Sequence, residues 1–317
     1  MGGVRLLLGF AALVAVVAGV AAVVASSGSS SGVKVPDIPA AAPRADTPPL
    51  PPRGALVLAQ GHGDLAVALA ARRAGSRLRL TGTLVASDGT GLRGMRVHFV
   101  VAGRQLPAAT PCGAGCYASS TLLSAPLRRV TIALSGRGRA ASSVTFELPA
   151  HWPVSAAPLL RGAERQFMQL RSVVYHERLS SGPKVTSTSV WRTEAPDRLS
   201  YRTTAGNQGI VIGRRRWDLV VGGGWKRSLQ NPPLVMPSPP WAAGAYDVNL
   251  LGGGRLGGRA VVRFSMFEPT TPAWYTVTLD RSTLRALTVS MTAAAHFMLD
   301  RYVTFNAPRQ IRAPLSP

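Results

Sequence analysis

The clearest alternation of apolar and polar positions lies at residues 272–306, PAWYTVTLDRSTLRALTVSMTAAAHFMLDRYVTFN. Tyr275, Val277 and Leu279 fall on one side of an extended chain, with Thr276 and Thr278 on the other. Leu287, Val289 and Met291 repeat the pattern against Thr288 and Ser290. A period of two is what a sheet with one dry face and one wet face requires. The polar residues 280–285 between the two runs predict a hairpin. Upstream, AVVRFSMF places Val262, Phe264 and Met266 on one face, with Arg263 and Ser265 opposite. KVTSTSVWRT, DRLSYRTT, GIVIGRRRWDLV and GGGWKRSLQ read as further short strands, and a Pro-rich loop at residues 231–241 follows them.

The period changes in one place. Residues 159–179 carry apolar side chains at Leu160, Ala163, Phe167, Leu170 and Val174, in steps of three and four. Pro158 suits a first helical turn, and SSGP at residues 180–183 ends the predicted helix. One helix facing a long one-sided antiparallel meander is the architecture this implies, a mainly β fold of the α+β class at residues 150–317. Residues 55–149 hold evenly spaced short β-rich runs separated by Gly, Asp and Pro turns, the pattern of a small Ig-like β-sandwich with a structural or spacer role. Its PCGAGCY segment contains the only cysteines, Cys112 and Cys116. The three-residue insert can turn tightly enough for a disulfide at a hairpin tip, and export would favour oxidation. A two-thiolate metal site is the rival, without a further ligand cluster nearby in sequence.

Residues 6–25, LLLGFAALVAVVAGVAAVVA, are free of charge and would span about 30 Å as a helix, the depth of a bilayer's hydrocarbon core. Arg5 before them favours a cytoplasmic N-terminus, so residues 1–25 are expected to be a single-pass anchor or a cleaved signal peptide. No cysteine near their end offers a lipoprotein anchor. Residues 26–54, rich in Ser, Gly and Pro, read as a disordered linker. The expected location is the cell membrane with the domains outside the cytoplasm, or a secreted protein if the segment is cleaved.

Charge adds little to this picture. The formal net charge is +22, yet the arginines are scattered, so no stripe of the kind that reads nucleic acid is present and nucleic acid is not expected as a partner. Catalytic motifs are also missing, and an enzyme is not expected. GGGRLG at residues 252–257 has the letters of a dinucleotide loop but leads into a strand, so no helix N-terminus awaits a phosphate; it reads as a loop. His176-Glu177 lacks the second histidine of a zinc protease, no nucleophile elbow occurs, and His62 in GHGD reads as a solvated loop residue.

Several motifs carry a resemblance. The second half resembles the LolA/LprG-like lipoprotein-carrier fold, a strongly curved sheet wrapped on a helix as a half-open barrel. Pro196-Asp197-Arg198-Leu199-x-Tyr201, Ile212-Gly213-x-x-x-Trp217, Gly223-Gly224-Trp225, Thr271-Pro272-Ala273-Trp274 and Met291-Thr292 followed by His296-Phe297-Met298, Tyr302 and Phe305-Asn306 resemble the C-terminal extracytoplasmic region of actinobacterial CopC/CopD-type copper-transport proteins. The Cys112-Gly113-x-Gly115-Cys116-Tyr117 segment resembles the small domain before that region. The chain departs from those transporters in having one apolar segment in place of a multi-helix membrane domain and no N-terminal copper domain, so copper permeation does not carry over.

The carrier resemblance implies a cavity for acyl chains or other apolar ligands between helix and sheet. The expected lining is Phe167, Leu170, Val174, Val262, Phe264, Met266, Tyr275, Val277, Leu279, Leu287, Val289 and Met291; the bland alternative is a closed core. The expected partners are a membrane and a lipid-like ligand, with no cofactor. The copper resemblance adds one alternative, Cu(I) held by the imidazole of His296 and the thioether of Met298, with Met291 nearby. A structural envelope module with a closed core is a further reading.

Overall fold

A computed structural model describes residues 46–315 except 124, 125, 137, 181, 183, 184, 240, 242, 243, 271, 295 and 309. The expected anchor at residues 1–25 and the linker up to residue 45 lie outside the described residues. No helix among the described residues is long and apolar enough to cross a membrane.

Nine strands make the first unit: β1 (Leu56–His62), β2 (Leu65–Ala74), β3 (Arg77–Val85), β4 (Arg96–Val101), β5 (Arg104–Gln105), β6 (Thr110–Gly113), β7 (Cys116–Leu122), β8 (Arg129–Gly136) and β9 (Arg139–Glu147). They form a sheet of order β1-β2-β3-β7-β6 and a second of order β5-β4-β8-β9. Leu69, Leu78, Leu80, Phe99, Tyr117, Val130 and Ile132 fill the core between them. Cys112 and Cys116 are joined by a disulfide across the β6–β7 hairpin, their Cα atoms 5.0 Å apart.

The helix α1 (Ala157–Met168) follows, with Pro158 in its first turn. It ends well short of residue 179. Residues Ser172–Ser180 are instead a strand, β10. Val173, Val174 and Tyr175 favour extended backbone, and the step of four from Leu170 to Val174 imitates a helical stripe by coincidence. The strands β11 (Thr186–Glu194), β12 (Arg198–Thr203), β13 (Gln208–Ile212), β14 (Arg215–Leu219), β15 (Trp225–Leu229), β16 (Tyr246–Leu256), β17 (Arg259–Glu268), β18 (Ala273–Asp280), β19 (Ala286–Ala293) and β20 (His296–Phe305) complete the chain. All join β10 in one antiparallel sheet of eleven strands, order β15-β14-β13-β12-β11-β10-β20-β19-β18-β17-β16. The molecule is therefore mainly β with a single helix among the described residues and open antiparallel sheets.

The glycine-rich stretch expected as a loop is part of β16. Gly252, Gly253 and Gly254 pair with Arg263, Val262 and Val261, and Gly257-Gly258 form the turn into β17 with φ of +54° and +80°. Positive φ at both turn positions is what a tight hairpin requires and what glycine supplies without strain.

The two units share an interface. Every residue of β2 from Leu65 to Ala71 is buried. Leu65, Val67, Leu69 and Ala71 face the sandwich core, while Ala66, Ala68 and Ala70 join Ala55, Val57, Phe267 and Trp274 in a separate cluster on the outer face of the large sheet. Small side chains on that side let the backbones approach. The fit is close enough that a Cβ on Gly61 would stand 2.8 Å from the Phe297 ring. The last residues of the expected linker are held there too. Asp46 pairs with Arg93, the Gly54 amide donates to Asp247 at 2.7 Å, Asn249 donates to the Ala55 carbonyl at 2.8 Å, and Arg53 lies over the Tyr246 ring.

Candidate functional site

The large sheet buries its apolar face against α1 in one cluster, to which the helix contributes Leu160, Ala163 and Phe167. Leu170, Phe264, Met266, Tyr275, Val277, Leu279, Val289 and Met291 join Phe167 there, and Val262 packs partly buried against them. Tyr275 faces Met291 and Val277 faces Val289 across the β18–β19 pair. Two expected lining residues fall outside this cluster. Val174 is buried elsewhere because β10 presents Val173 and Tyr175 to the core, so the residue between them points away. Leu287 is displaced by a register shift between Thr278 and Leu279, which sets Ala286 opposite Leu279 in its stead.

The space between helix and sheet is occupied from the Pro-rich connection between β15 and β16. Leu234, Met236 and Trp241 from that connection all belong to the buried cluster. Trp241, fully buried, stands edge-on to Phe167 of α1 at 5.1 Å and to Tyr302 of β20 at 5.8 Å. Its indole nitrogen has no hydrogen-bond partner. An aromatic row continues along the sheet: Tyr302 stacks on Tyr175, Tyr175 on Trp191, and Trp191 meets Tyr201 at 4.7 Å. Two open clefts, of about 560 and 640 Å³, lie on outer surfaces, and only the first borders this face, at Tyr201.

Within the apolar face sit two carboxylates. Glu177 on β10 and Asp300 on β20 are direct cross-strand partners. Asp300 is 0% exposed and Glu177 4%. One oxygen of Glu177 accepts from the Ser189 hydroxyl at 2.9 Å and from the Trp191 indole at 3.2 Å. Its other oxygen, both oxygens of Asp300 and the Tyr302 hydroxyl have no partner. None of the ion pairs among the described residues includes either acid. Burial, reinforced by the neighbouring Glu177, pushes the Asp300 carboxyl well above the usual carboxylate range. Burial also raises Glu177, opposed by the bonds from Ser189 and Trp191. The hydroxyls of Tyr175 and Tyr302 are raised by burial and by the charge of Asp300, and that of Tyr275 by burial, then Glu268, then Asp300. Among the described residues, the titratable groups coupled to Asp300 are thus one acid and three phenols, with no cation.

Reading residues 172–179 as a helix hid Glu177. Asp300 carried a usable signal: in FMLDRYVTF it shares the alternating face of Met298 and Tyr302, a charged residue in an apolar register. The copper candidates lie at the end of the same face. Met298 is buried opposite Met291, and His296, half-buried, pairs with Ala293 where β20 begins. Among the described residues no group of three or more His, Cys, Asp or Glu is arranged to hold a metal ion.

No family model matches the sequence, and no curated protein matches it. Solved structures do. The chain is similar over 50% of its length to the lipoprotein LppX of Mycobacterium tuberculosis, with 12% identity, a TM-score of 0.37 and all of that structure covered. It is similar over the same share to LprF from Mycobacterium bovis, with 11% identity, a TM-score of 0.35 and 95% of that chain covered. A LolA superfamily protein from Nitrosomonas europaea is matched over 50% of this chain and 95% of its own, with 9% identity and a TM-score of 0.27.

Proposed function

We propose that this chain binds a hydrophobic, lipid-like ligand between α1 and the apolar face of the large sheet, and that it does so outside the cytoplasm, tethered by residues 6–25. It acts as a carrier or sensor and not as an enzyme. The observation that carries the reading is the position of Trp241. A loop residue, belonging to neither the helix nor the sheet, occupies the space between Phe167 and Tyr302. Its withdrawal breaks no strand pairing, and its indole N–H, without a partner, costs no hydrogen bond to displace. Four methionines line the surrounding cluster, Met236, Met266, Met291 and Met298, and flexible thioethers reshape readily around an incoming chain. An apolar tail that enters replaces one buried side chain by another, so the core stays filled.

Native mass spectrometry of the full chain purified from membranes is expected to show an apolar adduct. A fluorescent fatty-acyl probe is expected to bind and to quench tryptophan emission. Absence of both an adduct and probe binding would count decisively against the carrier.

A second reading, Cu(I) binding, is favoured by one observation: Met291 and Met298 are directly opposite each other, with His296 two residues along the same strand. Two thioethers and an imidazole suit that ion. Copper that remains with the purified protein under reducing conditions and is lost in His296→Ala would support it; metal-free wild type after Cu(I) loading and desalting removes it.

A further inference from the structure

The paired acids of the sheet's apolar face ask for a partner that the described residues do not supply. A charged carboxylate taken out of water is costly unless it is paired, and two that face each other are costlier still. Here three of the four carboxylate oxygens lack any donor, and no Lys or Arg among the described residues is paired with either acid. A wholly apolar ligand leaves that deficit as it stands. An anionic head, carboxylate or phosphate, adds repulsion. A cation resolves it, and the neighbouring rings favour the same choice. Tyr175 stands two residues from Glu177 on β10 with its ring stacked between Trp191 and Tyr302, and Tyr302 stands two residues from Asp300 on β20 with the Trp241 ring 5.8 Å away. Electron-rich ring faces attract organic ammonium groups, most strongly where water is excluded.

We propose that Glu177 and Asp300 form a head-group subsite that selects an amphipathic cation, an alkyl chain bearing an amine or quaternary ammonium. The proposal rests on the carrier reading and names the ligand class for that same site. The ammonium lies beside the two acids against the Tyr302 ring, where Trp241 withdraws, and the chain runs toward Met291 and Met298. Binding removes the proton that the acid pair retains when empty of a cation and passes it to solvent, so the complex gains no net charge from that exchange. The arginine-rich exterior attracts anions and repels cations. A preference for a cationic ligand therefore has to come from the interior.

The test uses the full chain and three probes of equal chain length, dodecyltrimethylammonium, dodecanol and dodecanoate, each below its micelle concentration. Affinities are read from tryptophan fluorescence and calorimetry at about 150 mM salt, where surface charges are screened beyond roughly 8 Å. The ammonium is expected to bind at least tenfold more tightly than the alcohol. Glu177→Gln combined with Asp300→Asn is expected to bring that ratio near unity. Glu177→Gln alone serves if the double variant does not give a native near-ultraviolet dichroism spectrum, and it is expected to reduce the ratio several-fold. Equal binding of ammonium and alcohol by the native protein, or a preference unchanged in the variants, overturns the proposal and leaves the carrier reading in place. Failure of all three probes to bind overturns both.

Discussion

Asp300→Asn is the most informative single change in this molecule, because it separates the cost of a buried charge from the benefit of a buried shape. Asn has nearly the volume of a protonated Asp and cannot ionise. Asp300 is 0% exposed with neither oxygen hydrogen-bonded, and burial together with Glu177 raises its pKa well above the unfolded value of about 3.9. A raised pKa means that the folded state holds the proton more tightly than the unfolded chain. The native protein is therefore favoured below about pH 4, where both states are protonated, and loses stability as pH rises from there toward the folded pKa. Glu177 is shifted the same way and adds to the loss. Each pKa unit of difference is about 1.4 kcal/mol, and Asn, which cannot ionise, carries none of that pH-dependent loss. The variant is expected to match the native protein within about 1 kcal/mol at pH 4 and to be the more stable of the two at pH 8, by at least about 1 kcal/mol. At about 2–4 °C per kcal/mol, a gain of that size raises the melting point at pH 8 by at least about 2 °C. Urea unfolding at both pH values, followed by tryptophan fluorescence, measures the difference directly. A variant less stable at pH 8, or a gain of equal size at pH 4, would refute the view that this acid is an unneutralised group in the fold.

Trp241→Ala should destabilise by about 3–5 kcal/mol as a cavity-forming change, yet raise the affinity of an apolar fluorescent probe; a stability loss with unchanged probe affinity means that the indole is ordinary core. Gly61→Val forces a side chain into the Phe297 ring and is expected to cost about 1–3 kcal/mol, read as faster limited proteolysis between the two units; unchanged proteolysis would show that the interface gives way freely. Replacing Cys112 and Cys116 together by Ser should lower stability by about 2 kcal/mol, given the short loop they close, without altering ligand binding; a measurable change in binding places the hairpin nearer the site than its edge position suggests.

The hairpin of β18 and β19 was legible in the sequence because its alternation is complete: one face is dry, the other wet, and the turn between them is polar. β2 was less legible for the opposite reason. Its two faces are both buried, one in the sandwich core and one against Phe267 and Trp274, so its residues read as a continuous apolar run with no period. That second burial, and with it the joining of the two units, depends on the Ala66, Ala68 and Ala70 side being small. Nothing local distinguishes such alanines from compositional bias in an alanine-rich chain. The segment from Asp46 to Gly54 misled in a related way. Its prolines and small residues look like linker, while its partners Arg93, Tyr246 and Asp247 are distant in sequence.

The candidate site shows where a periodic reading stops being enough. Its apolar members share a cluster because packing repeats at fixed spacing, whereas the pairing of Glu177 with Asp300 depends on β10 lying beside β20, the first and last strands of the large sheet. That adjacency is set by how the meander closes on itself and is not written in either strand. Once the register is known, the oddity of FMLDRYVTF becomes meaningful: a strand that spends its core-facing positions on Met298, Asp300 and Tyr302 places an ionisable group where a valine would pack at no electrostatic cost. The same register places a second acid directly across from it. Two such costs at one point of the sheet, beneath a tryptophan held by a loop, make the interior an unfinished polar site within an apolar one, and a ligand with both characters is the kind that would complete it.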